Sequence, residues 1–310
     1  MNTVDLPDGL RLRPYQDSDL AGVVQFVGES GARSGCPWMH PGDVLHCMCN
    51  LLRGQQHSEH FHLCEDQTGS LAALVMLYPA RYSGFELIMS PAQRGGTLER
   101  ALIAWGEVAS WRLMQAAGNT SPIGVDAGEC DPVRRELLSA AGYIADDAPH
   151  TLYNTRPLSE PIPDSALPDG FTIRRVAGES DAEQLGIVHS SAFGSSWTAE
   201  EYRRVMRTPG FHADRELVVV APDGRLAAFL VYWVDGQSGK GLFEPVGCHR
   251  DFQRRGLTRA LLYEGLRRMK AHGMETAVVK NFAASEAAGG VYRSVGFAPQ
   301  YGIFLYQKQM

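Results

Sequence analysis

A repeat constrains this chain more than any other feature. Leu6-Pro7-Asp8-Gly9 recurs as Leu167-Pro168-Asp169-Gly170, 161 residues later. Each copy runs into a short strand pattern, Leu10 to Arg13 and Phe171 to Arg174, and then an acidic helix start (Asp17 and Asp19; Glu179 and Asp181). Further on, Ser90 to Leu102 parallels His249 to Leu261 at an offset of 159, and Leu138-Ser139-Ala140-Ala141-Gly142-Tyr143 parallels Tyr292-Arg293-Ser294-Val295-Gly296-Phe297. Three matched landmarks in one order mean two copies of one fold. At 310 residues the chain suits two domains of about 150 each. The prolines between 157 and 168 forbid a helix and favour an extended linker. The expected division is therefore 1–156, a linker over 157–168, and 169–310.

Each copy reads as strand, one or two helices, three strands, long helix, strand, helix, strand. Leu98 to Ala116 and Leu257 to His272 carry the long-helix pattern, and Gly296 marks the end of a helix over Glu286 to Ser294. The class is α/β (α+β), each domain a mixed, largely antiparallel sheet covered by helices.

A net charge of −6 argues against a general nucleic-acid binder, and no apolar run reaches the ~18 residues of a membrane span. The start of the chain shows no signal-peptide pattern, so the cytoplasm is the expected location. Six cysteines without a C-x-x-C pair are expected to be free thiols. Cysteines and histidines crowd between Cys36 and Cys64, but the spacing fits no common zinc pattern, and no metal is expected. Within that cluster His60, His62 and Cys64 alternate with Phe61 and Leu63 as a solvated strand face would.

The chemistry points to Phe243 through Leu262. A strand pattern runs into Gln253-Arg254-Arg255-Gly256-Leu257-Thr258 and then a helix. Gly256 permits a tight turn, the helix start offers unpaired N–H groups and a positive dipole end, and Arg254, Arg255 and Arg259 add guanidinium charge. That combination is an anion site suited to phosphate. The Walker and dinucleotide glycine patterns are both absent.

The loop resembles the Q/R-x-x-G-x-G/A pyrophosphate loop of GNAT N-acetyltransferases, with Thr258 at the last position. Ser285 to Phe297 resembles the family's N-x-x-A-x-x-L-Y-x-x-x-G-F segment, with Ser285 in place of Asn. The resemblance implies acetyl-CoA as co-substrate, held by Val246, Gly247, Cys248, Gln253, Arg254, Arg255, Gly256, Leu257, Thr258, Ser285 and Tyr292. It implies that Tyr292 protonates the departing thiolate; the same tyrosine also suits a core position on an amphipathic helix. Glu244, on the strand entering the loop, can take a proton from an attacking amine or simply face solvent. Pro245 removes a ladder N–H, so this strand is expected at an edge or locally splayed. Cys248 reads as a packing thiol rather than a nucleophile.

In the first copy Thr97 takes the place of Gly256, Glu99 that of Thr258 and Leu138 that of Tyr292. A carboxylate there opposes a phosphate, so this half reads as a degenerate scaffold that can still shape the acceptor pocket. The favoured activity is direct acetyl transfer to a primary amine of a small molecule. Acceptor contacts are expected from Trp197, Tyr202, Trp233, Phe243, Tyr301 and Tyr306. A non-catalytic acyl-CoA-binding or regulatory module and a protein lysine acetyltransferase are the alternatives, and a homodimer is left open.

Overall fold

The structure, a computed structural model, describes residues 6–37, 39–164 and 166–310. In chain order the elements are β1 (Leu10–Pro14), α1 (Leu20–Arg33), α2 (Pro41–His46), α3 (His57–His60), β2 (Phe61–Asp66), β3 (Leu71–Leu77), β4 (Phe85–Met89), α4 (Thr97–Ala116), β5 (Ile123–Gly128), α5 (Pro132–Ala140), β6 (Ile144–Ala145) and β7 (Thr151–Pro157). They continue with β8 (Thr172–Arg175), α6 (Ala182–Phe193), α7 (Ala199–Arg207), β9 (Glu216–Val220), β10 (Leu226–Asp235), β11 (Lys240–Cys248), α8 (Leu257–Ala271), β12 (Thr276–Phe282), α9 (Glu286–Ser294) and β13 (Ala298–Lys308). The chain forms two compact units, but they are not its two sequential halves. One holds residues 1–40, 55–152 and 301–310, the other 41–54 and 153–300. The expected boundaries at 156 and 169 miss both exchanged segments, because a repeat reports shared local pattern and not which unit each segment completes.

The first unit is built on an antiparallel sheet in the order β1-β2-β3-β4. β4 meets β5 at one parallel bridge, Gly84 to Gly124, and β13 pairs antiparallel with β5 from Ile303↔Gly128 to Lys308↔Ile123. Leu98, Leu102 and Ile103 on one stripe of α4 pack with Val75, Leu77, Phe85 and Leu87 of the sheet. Two expectations fail here. Cys36 and Cys130 form a disulfide with Cα atoms 5.4 Å apart across 94 residues of sequence, while Cys47, Cys49, Cys64 and Cys248 are free. Spacing could not announce a pairing that the fold makes by bringing the end of α1 beside the end of β5. His60, His62 and Cys64 do not face solvent: all are buried, and His62 packs edge-on against Trp105. Alternation distinguishes faces of a strand, and here both faces of β2 are covered.

The second unit has the sheet order β7-β12-β11-β10-β9-β8. β8, β9, β10 and β11 run antiparallel, and β11 with β12 is parallel. α8 covers one face, burying Leu257, Leu261, Leu262 and Leu266 with Leu230, Tyr232 and Phe243. α6 and α7 cover the other with Leu185, Val188 and Tyr202 against Val218 and Phe229. Each fully buried leucine contributes on the order of 2 kcal/mol of hydrophobic stabilisation. The linker is extended but docked: Leu158 is buried in this core, and Arg267 donates to the Pro163 carbonyl at 2.8 Å.

Candidate active site

The Gln253–Thr258 loop is exposed up to Gly256 and enters α8 through two left-handed residues. Gly256, the N-cap, has φ 76°, which only glycine adopts without strain; a Cβ there would meet nothing nearer than Arg259 at 3.8 Å. Arg254, with φ 63°, adopts the same region despite its side chain. A turn with left-handed residues of this kind gathers successive amides into a nest. Among the described residues no side chain caps α8, so its first amides and positive dipole end face the mouth open. Arg255 stays at that mouth, its guanidinium over the Phe252 ring at 5.4 Å and donating to the Asp251 carbonyl. The Thr258 side chain hydrogen-bonds the Cys248 thiol, whose pKa burial raises. That keeps Cys248 a thiol, half-buried against the core.

Upstream, β11 changes neighbours. Its parallel ladder with β12 covers Lys240↔Thr276 to Phe243↔Val279 and stops there. On the other side Leu230 pairs with Val246 and Tyr232 with Phe243, so Val231 alone stands opposite Glu244 and Pro245. This is a β-bulge at the position where proline supplies no N–H. The strand is central, and splayed rather than at an edge. Beyond Phe243, the backbone of Val246, Gly247 and Cys248 keeps its β10 partners and, among the described residues, has no β12 partner. A cleft with free backbone groups on one wall therefore leads from the bulge to the α8 nest.

Glu244 sits at the head of that cleft with 29% of its side-chain surface open. Burial raises its pKa to about 7; Lys280 pulls it down and Asp43 pushes it up. Lys280 and Asp43 are themselves paired at 2.7 Å. His46 Nε2 lies 3.5 Å from Glu244 Oε1, and burial holds that imidazole near a pKa of about 4, so it is neutral beside the carboxylate. Tyr292, on α9, is 8% exposed, and burial followed by the Glu244 charge drives its pKa well up. α9 is placed by its ends. Ser285 Oγ caps the Ala288 N–H, and Gly296, at φ 91°, reverses the chain while Phe297 N–H returns to the Tyr292 carbonyl. A carboxylate titrating near neutrality and a phenol that stays protonated thus share one site, the arrangement expected of a base and an acid.

Beside Glu244 is a second pocket lined by His46, Asn50, His189, Trp197, Tyr202, Glu216, Val231, Trp233 and Pro245 among others. His46 and Asn50 come from the 41–54 segment, a stretch of the first copy that belongs to this unit. The Trp233 indole donates to the Glu244 carbonyl at 2.6 Å and closes one wall. Of the expected acceptor contacts, Trp197, Tyr202 and Trp233 line this pocket. Phe243 does not: it is fully buried on the α8 face, in ring contact with Phe297. Tyr301 and Tyr306 belong to the other unit, where Tyr301 donates to Pro37 and Tyr306 takes a hydrogen bond from Arg135. His189 and Glu216 were missed by the sequence reading, having no motif to mark them.

The first unit contains a larger cavity, about 350 Å³, between α1, β4 and β5 and bordered by the Cys36–Cys130 bridge. Arg94 and Arg134 on its wall are both bound to Glu99, at 3.1 and 2.7 Å. Glu99 is fully buried and accepts the Gly95 N–H at 2.6 Å. The first copy's loop thus holds its own anion. Among the described residues, no group of three or more His, Cys, Asp or Glu is arranged to hold a metal ion, and no helix is long and apolar enough to cross a membrane.

Residues 183–297 match the Acetyltransferase (GNAT) family model. The chain is similar to the mycothiol acetyltransferase of Streptomyces avermitilis, 29% identical over 273 residues and covering 83% of each chain. It is similar to that of Nocardia farcinica at 28% identity, over 77% of this chain and 80% of the relative. In fold it resembles a GCN5-related N-acetyltransferase from Sphaerobacter thermophilus, with a TM-score of 0.66, 21% identity and coverage of 98% and 96%. It also resembles a tandem GNAT protein from the clavulanic acid biosynthesis pathway, at TM-score 0.64, 14% identity and coverage of 96% and 98%. Residues 183–297 thus carry the pattern of the GNAT acetyltransferase family, and over most of its length the chain is similar to mycothiol acetyltransferases.

Proposed function

We propose that the second unit transfers acetyl from acetyl-CoA directly to the primary amine of a small molecule, and that the first copy's loop is a non-binding scaffold. One observation supports this reading: β11 parts from β12 after Phe243, between Glu244 and the uncapped start of α8, and the Glu244 charge reaches Tyr292. The residues present fit the coenzyme. Arg255 and the α8 amides suit its pyrophosphate, and the free backbone of Val246 to Cys248 suits its pantetheine arm. Bound acetyl-CoA supplies an acetyl thioester. Glu244, ionised, accepts a proton from the incoming amine as the new C–N bond forms and the C–S bond breaks. Tyr292 returns a proton to the leaving sulfur, and its raised pKa keeps that proton available at neutral pH. The named activity of the relatives, mycothiol acetylation, is consistent with a small-molecule acceptor.

A panel of small amines with acetyl-CoA, followed by thiol release, tests the reading. Turnover of at least one amine, lost on Tyr292→Phe with coenzyme affinity retained, is the expected result. Tight coenzyme binding without turnover of any acceptor would instead favour a regulatory acyl-CoA-binding module.

A further inference from the structure

The parallel ladder between β11 and β12 ends at Phe243↔Val279, so the next residues, Glu244 and Lys280, stand side by side where the strands part. Adjacent strands lie about 4.8 Å apart, which puts the lysine charge within reach of the carboxylate. A base held by an ammonium alone stays ionised to low pH and accepts a proton poorly. A third charge changes that balance. Asp43 Oδ1 takes the Lys280 ammonium at 2.7 Å, and both side chains are largely buried. Burial raises the Glu244 pKa most; the Lys280 charge opposes that rise and the Asp43 charge adds to it.

Asp43 belongs to α2, one turn ahead of His46, and residues so spaced share a helix face. That face reaches the site, since His46 Nε2 lies 3.5 Å from Glu244 Oε1. Gly42 allows the approach: a Cβ there would collide with Trp233, whose indole donates to the Glu244 carbonyl. Among the described residues, the other titratable groups around Glu244 are His46 and Tyr292 of α9, both kept uncharged by burial. Farther out, His189 of α6 lies near His46, and Tyr153 of β7 near Asp43. Resting on the acetyl-transfer reading of this site, we propose that Asp43 is a positioning residue for Glu244: by holding the Lys280 ammonium, it leaves the carboxylate free to take the acceptor's proton. A residue of the first copy's sequence thereby sets the strength of the second copy's base.

The test follows kcat/KM against pH in the whole chain, by thiol release, with an amine that the panel shows to be acetylated. Asp43→Asn removes the negative charge that offsets Lys280, so the acidic limb should move down by about one pH unit. Lys280→Gln removes the cation and keeps Asp43, so the limb should move up by about as much. Asp43→Glu keeps the charge and should keep the wild-type limb, and the double variant of Asp43→Asn with Lys280→Gln should fall between the two singles. Lower rates with an unmoved limb, or both singles shifting in one direction, overturn the proposal, because a merely structural pair would behave so. Carbon NMR titration of the Glu244 carboxyl, assigned by its loss in Glu244→Gln, reads the same shifts without turnover. Opposite shifts in a protein that acetylates no amine uphold the charge balance and refute the transferase reading. An unmoved carboxyl in a protein that does acetylate refutes the role of Asp43 and leaves acetyl transfer standing. Should one single variant not fold, the other decides alone, since each has its own expected direction.

Discussion

The two copies start their long helices with one device and leave it in opposite states. The core leucines keep an offset of 159 (Leu98 and Leu257; Leu102 and Leu261), and both loops carry a left-handed glycine, Gly95 or Gly256. In the first copy the helix begins at Thr97, one position earlier, and Glu99 turns back to take the Gly95 amide. Arg94 and Arg134 neutralise that carboxylate, so on the proposed reading exclusion would rest less on like-charge repulsion than on an amide already used. In both copies the glycines stay outside the helix and, among the described residues, no side chain caps its first amides; the second copy differs in having no carboxylate folded back onto the loop as Glu99 is onto Gly95. The strands diverge in the same sense. Phe85 and Phe243 each press on a helix glycine, Gly106 and Gly265, and each is followed by a glutamate. After Glu86 the ladder to β3 runs on regularly, and Tyr78 bonds the carboxylate inside the fold. After Glu244 comes Pro245, a bulge, and a carboxylate that reaches the cleft. A site is made or silenced by one or two residues on an unchanged frame.

The sharpest way to break this comparison is to treat the paired glutamates alike. Glu244→Gln and Tyr292→Phe should lower kcat on the order of 10²- to 10⁴-fold, while Glu86→Gln should leave turnover per folded molecule in place. An equal loss from Glu86→Gln would erase the distinction. The pH profile carries the same information. Glu244 must be ionised, so kcat/KM should fall about tenfold per pH unit below about 7, and Glu244→Gln should remove that acidic limb. A wild-type profile flat down to pH 5 would place the base elsewhere.

Next in size is the loop. Gly256→Glu forces a side chain into a left-handed residue and sets a carboxylate at the mouth, with open space to keep the fold intact. Coenzyme affinity should fall by at least about a hundredfold, and calorimetry showing an unchanged Kd would contradict the nest assignment. Calorimetry on the wild type should count one coenzyme per chain; two equivalent sites would end the contrast between the copies. Glu99→Gln leaves Arg134 buried without its charge partner, at a cost of about 3 kcal/mol in urea unfolding and with no second coenzyme site gained. The smallest effect is Arg255→Ala. This exposed guanidinium should contribute about 1 kcal/mol, a several-fold rise in coenzyme Kd.

Much of this was legible before any coordinates. The repeat, the long helices, the α8 loop and the Tyr292–Gly296–Phe297 order are local patterns, and local physics places them. What stayed hidden depends on partners distant in sequence. The Cys36–Cys130 bridge, the burial of His60 and His62, and the core position of Phe243 are set by which face meets which layer. Glu216 reads as an ordinary strand start, and only the register beside Val231 brings it into the pocket. Arg254 gave no sign of its left-handed backbone, since nothing local requires it there.

The exchanged segments bear on how the protein is made. Residues 301–310, which pair with β5, leave the ribosome only after every residue of the second unit has been synthesised. The first unit, though encoded first, is completed second, and until then β5 presents an open edge that another chain can pair with. A gene cut at the linker would therefore not yield two autonomous proteins: the first fragment would lack its closing strand, and the second would lack the 41–54 wall of its pocket.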